Sequence, residues 1–190
     1  MKPSEPHHNI FIVTGKVHSG KTTFLSRLTD RLRMEHIAMA GFLSHGAFSE
    51  NRRSSFTLVN IQNGAQILLA TIEKCEGWIP FGSFFFNPEA LREGEKIIRK
   101  GLDQRTDLVV LDELGPFELE GGGWTGILEL LEKEYEMAQL WVVREQLLES
   151  VLDRWNIPGE NVFRVNPHEE ERINQTILTH VRNDEISPAT

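Results

Sequence analysis

Within eight residues, G15-K-V-H-S-G-K-T22, the chain places two Gly, two Lys and two hydroxyls. The spacing fits G-x-x-x-x-G-K-[ST] without a mismatch. Each position has a physical use in holding a polyphosphate. Gly15 and Gly20 let the backbone turn tightly and approach oxygen atoms with no Cβ in the way. The N–H groups of Gly15, Lys16, Val17, His18, Ser19 and Gly20 can then point inward as an anion nest. A helix starting near Lys21 would add unpaired N–H groups and a partial positive charge. Lys21 would reach the β- and γ-phosphates, the Thr22 hydroxyl would ligate Mg²⁺, and Thr23 would reach the α-phosphate. Such a field is local, so the formal net charge of −8 does not oppose it.

A second group of reactive side chains lies about ninety positions later, in D107-L-V-V-L-D-E113. Four apolar residues predict a buried strand, and Asp112 and Glu113 emerge at its C-terminal end. Open parallel sheets bind ligands at that end. Asp112 is the candidate to hold Mg²⁺, through water, because Mg²⁺ keeps several waters in such sites. Glu113 is the candidate to orient or deprotonate an attacking water. Taken alone, the doublet also reads as a capping or solvated pair at a strand end.

Positioning these groups requires strands and helices in alternation. Ile10–Thr14 is a short apolar run bounded by Gly, and so a buried strand. Leu25, Leu28 and Leu32 share one face of the helix that follows. Ile37–Leu43 reads as a second strand, and the polar stretch 44–55 as a loop. Phe56–Asn60 and Ala65–Ala70 flank an Asn-Gly pair, which predicts a β-hairpin. Asn87 and Pro88 are a helix cap and first helical residue. Strands are expected at Leu108–Leu111, Leu140–Val143 and Val162–Val165, each followed by a helical pattern, the last starting at Asn166-Pro167. Five strands alternating with helices argue for a single α/β domain, 1–190, with a mainly parallel sheet covered on both faces. A β-rich insertion occupies about 45–86, and 1–8 and 183–190 read as loose polar tails.

Composition bounds the partners. With 28 acidic and 20 basic side chains, broad attraction to nucleic acid or an anionic membrane is disfavoured. One Cys, Cys75, excludes an internal disulfide and fits a reducing, cytoplasmic setting. No stretch has the length and apolarity of a membrane span.

D112-E-L-G-P-F-E-L119 resembles the Asp-Glu-Ile-Gly-x-Met-Glu-Leu element of the thermophilic-type nucleoside triphosphatases, the family that includes the human cancer-related nucleoside triphosphatase. Further similarities run in the same order: G20-K-T-T23, G41-F42, R53-S-S-F56, L69-A70, F81-G-S-F84 and Asn87. Together they cover about 10–165. The chain departs from the family pattern at Pro116, where a basic residue is usual, and at Phe117, Ser55 and His45. The resemblance implies a three-layer, RecA-like P-loop core with strand order 5-1-4-3-2 and the inserted antiparallel strands set aside. It also implies magnesium dependence and slow hydrolysis of several nucleoside triphosphates, ATP and GTP among them.

In that strand order the Leu140–Val143 strand lies between the loop strand and the Asp112 strand. Neighbouring strands are roughly 4.8 Å apart, so Arg144 at its end should emerge close to the γ-phosphate as a charge-stabilising residue. A surface Arg at the start of the next helix is the equal alternative. Arg52-Arg53 reads as a solvated loop pair or as a flap over phosphates. The stretch 78–86 reads as core packing or part of a base pocket, and Asn166 as a neighbour of the nucleoside. Lys16 stands where dimeric ATPases carry a trans-acting Lys, without their flanking Gly pair. The expected activity is hydrolysis of the β–γ bond; the rival readings are a nucleotide or nucleoside kinase and a nucleotide-controlled accessory protein.

Overall fold

The computed structural model describes residues 7–184, except 17–18, 51, 135–136 and 167–168. Fifteen strands and α-helices follow one another as β1 (Ile10–Gly15), α1 (Lys21–Met34), β2 (Met39–Ser49), β3 (Arg52–Asn60), β4 (Gln66–Thr71), β5 (Ile79–Phe81), β6 (Phe84–Phe86), α2 (Pro88–Asp103), β7 (Leu108–Leu114), α3 (Pro116–Leu119), α4 (Thr125–Glu134), β8 (Ala138–Arg144), α5 (Leu148–Arg154), β9 (Val162–Arg164) and α6 (Glu169–Asp184). All nine strands form one sheet in the order β5-β6-β4-β3-β2-β7-β8-β1-β9. Its parallel part, β9-β1-β8-β7-β2, is the expected 5-1-4-3-2 order. The inserted antiparallel strands, not counted in that order, join the same sheet. They extend it beyond β2 as four antiparallel strands.

Strand alternation builds the three layers. In β1, Ile10 and Ile12 join one apolar cluster while Phe11 and Val13 join another. In β7 the split is Val109 and Leu111 against Leu108 and Val110, as the pleat requires. The first cluster takes in Ala90 and Ile98 of α2, Ile127 and Leu131 of α4, and Val151 of α5. The second is filled by Phe24, Leu28 and Leu32 of α1 and by Ile173 and Ile177 of α6. With a parallel sheet buried on both faces, the strand interiors read as continuous apolar runs, which is why they are legible in the sequence.

One expectation is corrected here. The polar stretch 44–55 is mostly not a loop. β2 continues through His45, Gly46 and Phe48 to Ser49 and pairs antiparallel with β3, with a register shift between Ala47 and Phe48. Ladder hydrogen bonds supply the order that this stretch's Ser-, Gly- and Arg-rich composition does not suggest. The described part of the last helix is Glu169–Asp184, and Pro167 of its expected start at Asn166-Pro167 lies outside the described residues. Of the segments read as tails, the described part is the end of α6, which runs to Asp184, and the stretch from His7, whose N–H donates to the Asn156 carbonyl at 3.1 Å. The rest of those segments lies outside the described residues.

Where β2 meets β7, the backbones approach so closely that a side chain cannot fit. Gly41 has φ +135°, and a Cβ there would lie 2.0 Å from the Val110 carbonyl oxygen. Gly64, in the β3–β4 turn, also has positive φ, at +71°, but faces open space. Gly41→Ala should therefore cost about 3 kcal/mol or more, and Gly64→Ala only about 1–2 kcal/mol. Denaturant midpoints of the two variants check this; equal losses would refute the close-approach account.

Candidate active site

β1 delivers Gly15 to the C-terminal end of the sheet, and α1 starts six residues later at Lys21. Gly20 takes φ +80° at the helix cap, a left-handed conformation that suits glycine. The first helical bond runs from the Phe24 N–H to the Gly20 carbonyl at 2.8 Å. The N–H groups of Lys21, Thr22 and Thr23 thus precede the helical ladder, and no acidic residue occupies this first turn. At Gly15 a Cβ would stand 2.6 Å from Ser19 Oγ, so the loop folds tightly over that position. Lys21 Nζ donates to the carbonyls of Gly15 (3.0 Å) and Lys16 (2.9 Å). Burial holds the Lys21 ammonium below its ordinary pKa; Glu113 and Asp112 oppose that shift, and the Arg144 and Arg53 charges add to it. Val17 and His18, expected in the anion nest, lie outside the described residues.

Asp112 and Glu113 are sequence neighbours, and a regular strand would send them to opposite faces. The β7–β8 register shifts between Leu111 and Leu114, and Glu113 adopts φ 66°. This irregularity re-aims the doublet in the manner of a bulge. Asp112 is 1% exposed. Its Oδ2 accepts from the Ser44 N–H at 2.9 Å, while Oδ1 has no hydrogen-bond partner among the described residues. Burial pushes the carboxyl up to about 7; the Ser44 N–H, the Thr22 hydroxyl and Lys21 favour the charged form, and Glu113 disfavours it. Thr22 and Asp112 therefore stand together, as hard oxygen donors for a cation should. The Ser44 hydroxyl is another buried oxygen without a hydrogen-bond partner among the described residues.

Glu113 is gripped by arginines. Arg144 Nε donates to Glu113 Oε1 at 2.7 Å, and Arg53 Nη1 lies 3.5 Å from the same oxygen. Arg144 pairs in register with Gly15 across β8 and β1, so the end of β8 faces the loop and its side chain turns toward the cleft. Arg53, read from the sequence as half of a solvated loop pair or of a flap over phosphates, stands not in a loop but on β3, opposite Phe48. Its position within R53-S-S-F56 was the available signal. A cleft of about 760 Å³ joins the loop residues Lys21, Thr22 and Thr23 to Arg53, Glu113 and Arg144. Lys16 is exposed and lines an adjoining cavity with Glu145, Gln146 and Arg144, the last shared with the cleft. Asn166 is engaged elsewhere: its Oδ1 accepts from the Glu169 N–H at 3.1 Å, capping α6. The 78–86 stretch packs on the DELGPFEL element, with Phe81 stacked on Phe117 at 4.6 Å between centroids.

Comparison with known proteins follows the same lines. Residues 10–178 match the family model described as NTPase. A protein of Caldivirga maquilingensis named nucleoside-triphosphatase THEP1 is 33% identical over 108 residues, spanning 57% of this chain and 60% of that protein's length. The nucleoside-triphosphatase THEP1 of Methanopyrus kandleri is 30% identical over 180 residues, covering 92% of this chain and 95% of that protein. Among solved structures, a human cancer-related nucleoside triphosphatase superposes with a TM-score of 0.64 at 19% identity, over 94% of this chain and 98% of that one.

Beneath the site, Glu118 is 5% exposed. Its two carboxylate oxygens accept from the N–H groups of Gly115 (2.8 Å) and Trp124 (3.3 Å). Burial nevertheless raises its pKa from 4.5 to about 7. Between those values the folded chain keeps a proton that the unfolded chain releases. The stabilisation is therefore complete below the unfolded value and is lost as pH rises through the folded one. Melting temperature should fall between about pH 5 and about pH 8, and Glu118→Gln should show a shallower fall from a lower starting point. Parallel pH profiles for both proteins would refute this role for Glu118.

Proposed function

The chain belongs to the NTPase family, and on that basis we propose that it is a Mg²⁺-dependent nucleoside triphosphatase cleaving the β–γ phosphate bond of ATP and GTP. The observation that carries this reading is the convergence of Lys21 and Thr22 with Asp112 and Glu113 at one end of the sheet. Broad base tolerance fits the capping role of Asn166 and the lack of an Asn-Lys-x-Asp guanine-reading element.

Thr22 and Asp112 fit a Mg²⁺ site, because a buried carboxylate oxygen without a partner stands beside a hydroxyl. Bound there, Mg²⁺ would offset charge on the phosphate oxygens. The loop N–H groups hold the phosphates, and Lys21 leaves the carbonyls of Gly15 and Lys16 to meet the terminal ones. Arg144 keeps Glu113 Oε1, leaving Oε2 to hold a water in line with the γ-phosphoryl and take its proton. As that water attacks, charge moves onto the β-phosphate, and Lys21 and Arg144 offset it. Positioning and electrostatics carry most of the work, so turnover is slow without an outside activator.

A second reading, phosphoryl transfer to an acceptor, is favoured by one feature. A cavity of about 220 Å³ lined by Phe81, Phe84, Phe117 and Trp124 shares Glu113 and Arg144 with the phosphate cleft. Label from [γ-³²P]ATP appearing on a small aromatic alcohol, instead of as free phosphate, would support it.

For the leading reading, Glu113→Gln should lower phosphate release about 10²–10⁴-fold while nucleotide binding persists. Thr22→Ala and Asp112→Asn should raise the Mg²⁺ concentration needed for half-maximal rate, and chelation should abolish activity in the wild type. Undiminished turnover by Glu113→Gln would reject Glu113 as the base, and metal-independent hydrolysis would reject the Mg²⁺ assignment.

A further inference from the structure

The hydrolytic reading above leaves Arg53 unused, yet the fold holds this side chain with unusual care. Its guanidinium lies 4.9 Å from the Phe56 ring centroid and 5.3 Å from that of Phe48. Its stem crosses Gly46 on the facing strand, where a Cβ would come within 2.9 Å of Nε. Two aromatic rings and a glycine thus aim one arginine into the phosphate cleft.

The charge so delivered is only loosely matched. Glu113 Oε1 already receives Arg144 at 2.7 Å, and Arg53 reaches the same oxygen at 3.5 Å, the long edge of hydrogen bonding. Two guanidinium groups share one carboxylate oxygen, with Lys21 in the same cleft. A contact at that distance adds little to an oxygen that Arg144 already holds closely, so holding Glu113 does not account for the packing around Arg53. A group with several anionic oxygens would satisfy both arginines, and it would sit where Lys21, Arg53 and Arg144 face one another.

We propose that Arg53 reads the γ-phosphate: a bound triphosphate draws the guanidinium from Glu113 Oε1 onto its terminal phosphate, and a diphosphate leaves it where it is. This rests on the nucleotide reading of the cleft and deepens it. Arg53 becomes the residue that separates substrate from product. The exchange also ties chemistry to occupancy, since Glu113 loses one of its two cations only when there is a phosphoryl group to cleave. The β2–β3 hairpin then serves as the arm that presents Arg53.

Calorimetry with Mg·AMP-PNP and Mg·ADP tests this on the wild type, Arg53→Met, Arg53→Lys and Gly46→Ala. Arg53→Met keeps an apolar stem, and Gly46→Ala displaces the guanidinium without removing its charge. Both should weaken AMP-PNP about 10–100-fold and leave ADP unchanged. Arg53→Lys should recover part of the loss, as a cation without the planar fork. Equal weakening for both nucleotides, or weakening for neither, would overturn the role of Arg53. Should Arg53→Met fail to fold, Arg53→Lys and Gly46→Ala decide by the same comparison. Wild-type protein that binds neither nucleotide would instead overturn the nucleotide reading itself.

Discussion

Asp112 keeps a carboxylate in a place that water barely reaches, and it binds three parts of the fold to that choice. β7 supplies the residue, β2 satisfies one oxygen through the Ser44 N–H, and the first turn of α1 brings Thr22 against it. Burying an ionisable group is unfavourable unless partners compensate. Here compensation stops halfway: one oxygen is satisfied, the other is not, and the proton stays on up to about pH 7. That incompleteness is what a resident cation and a triphosphate would relieve. β2 passes the end of its pairing with β7 at Phe42 and brings the Ser44 N–H to Asp112, while β3 pairs with its extension to Ser49.

The two faces of the sheet divide the remaining work. α1 and α6 pack on one side and fix the phosphate loop; α2, α4 and α5 pack on the other and support the strands that carry Glu113 and Arg144. The insertion extends this frame with hydrogen-bonded strands, so Arg53 inherits the rigidity of the sheet and not the latitude of a loop. A rigid arm holding a weakly paired charge is well suited to exchanging partners without a large movement.

Much of this was legible because parallel strands buried on both faces leave unbroken apolar runs, and because a phosphate loop tolerates few residue types. Ile10–Thr14, Leu108–Leu111 and Leu140–Val143 fall inside β1, β7 and β8, and Asn87 does cap α2, accepting from the Glu89 N–H at 3.0 Å. The parallel strand order followed from the family resemblance, not from periodicity. What escaped was set by long-range pairing. Residues 44–55 carry no alternation, because their order comes from the partner strand. The turn of Glu113 depends on a register shift against β8. Neither of these leaves a local mark. The positive φ at Glu113 is the least readable of all, since glutamate seldom adopts it.

A nine-stranded sheet has two borders, and both are blunt. On one side β9 offers three residues; on the other β5 offers three, with Pro80 at its centre. Proline has no N–H to donate, and short rims give a neighbouring chain little to hydrogen-bond. Cross-chain strand addition, the usual hazard of an open sheet, is thereby discouraged at high protein concentration. The run of antiparallel strands that holds Arg53 ends in a stop, so the segment that furnishes the arm also closes that border of the sheet.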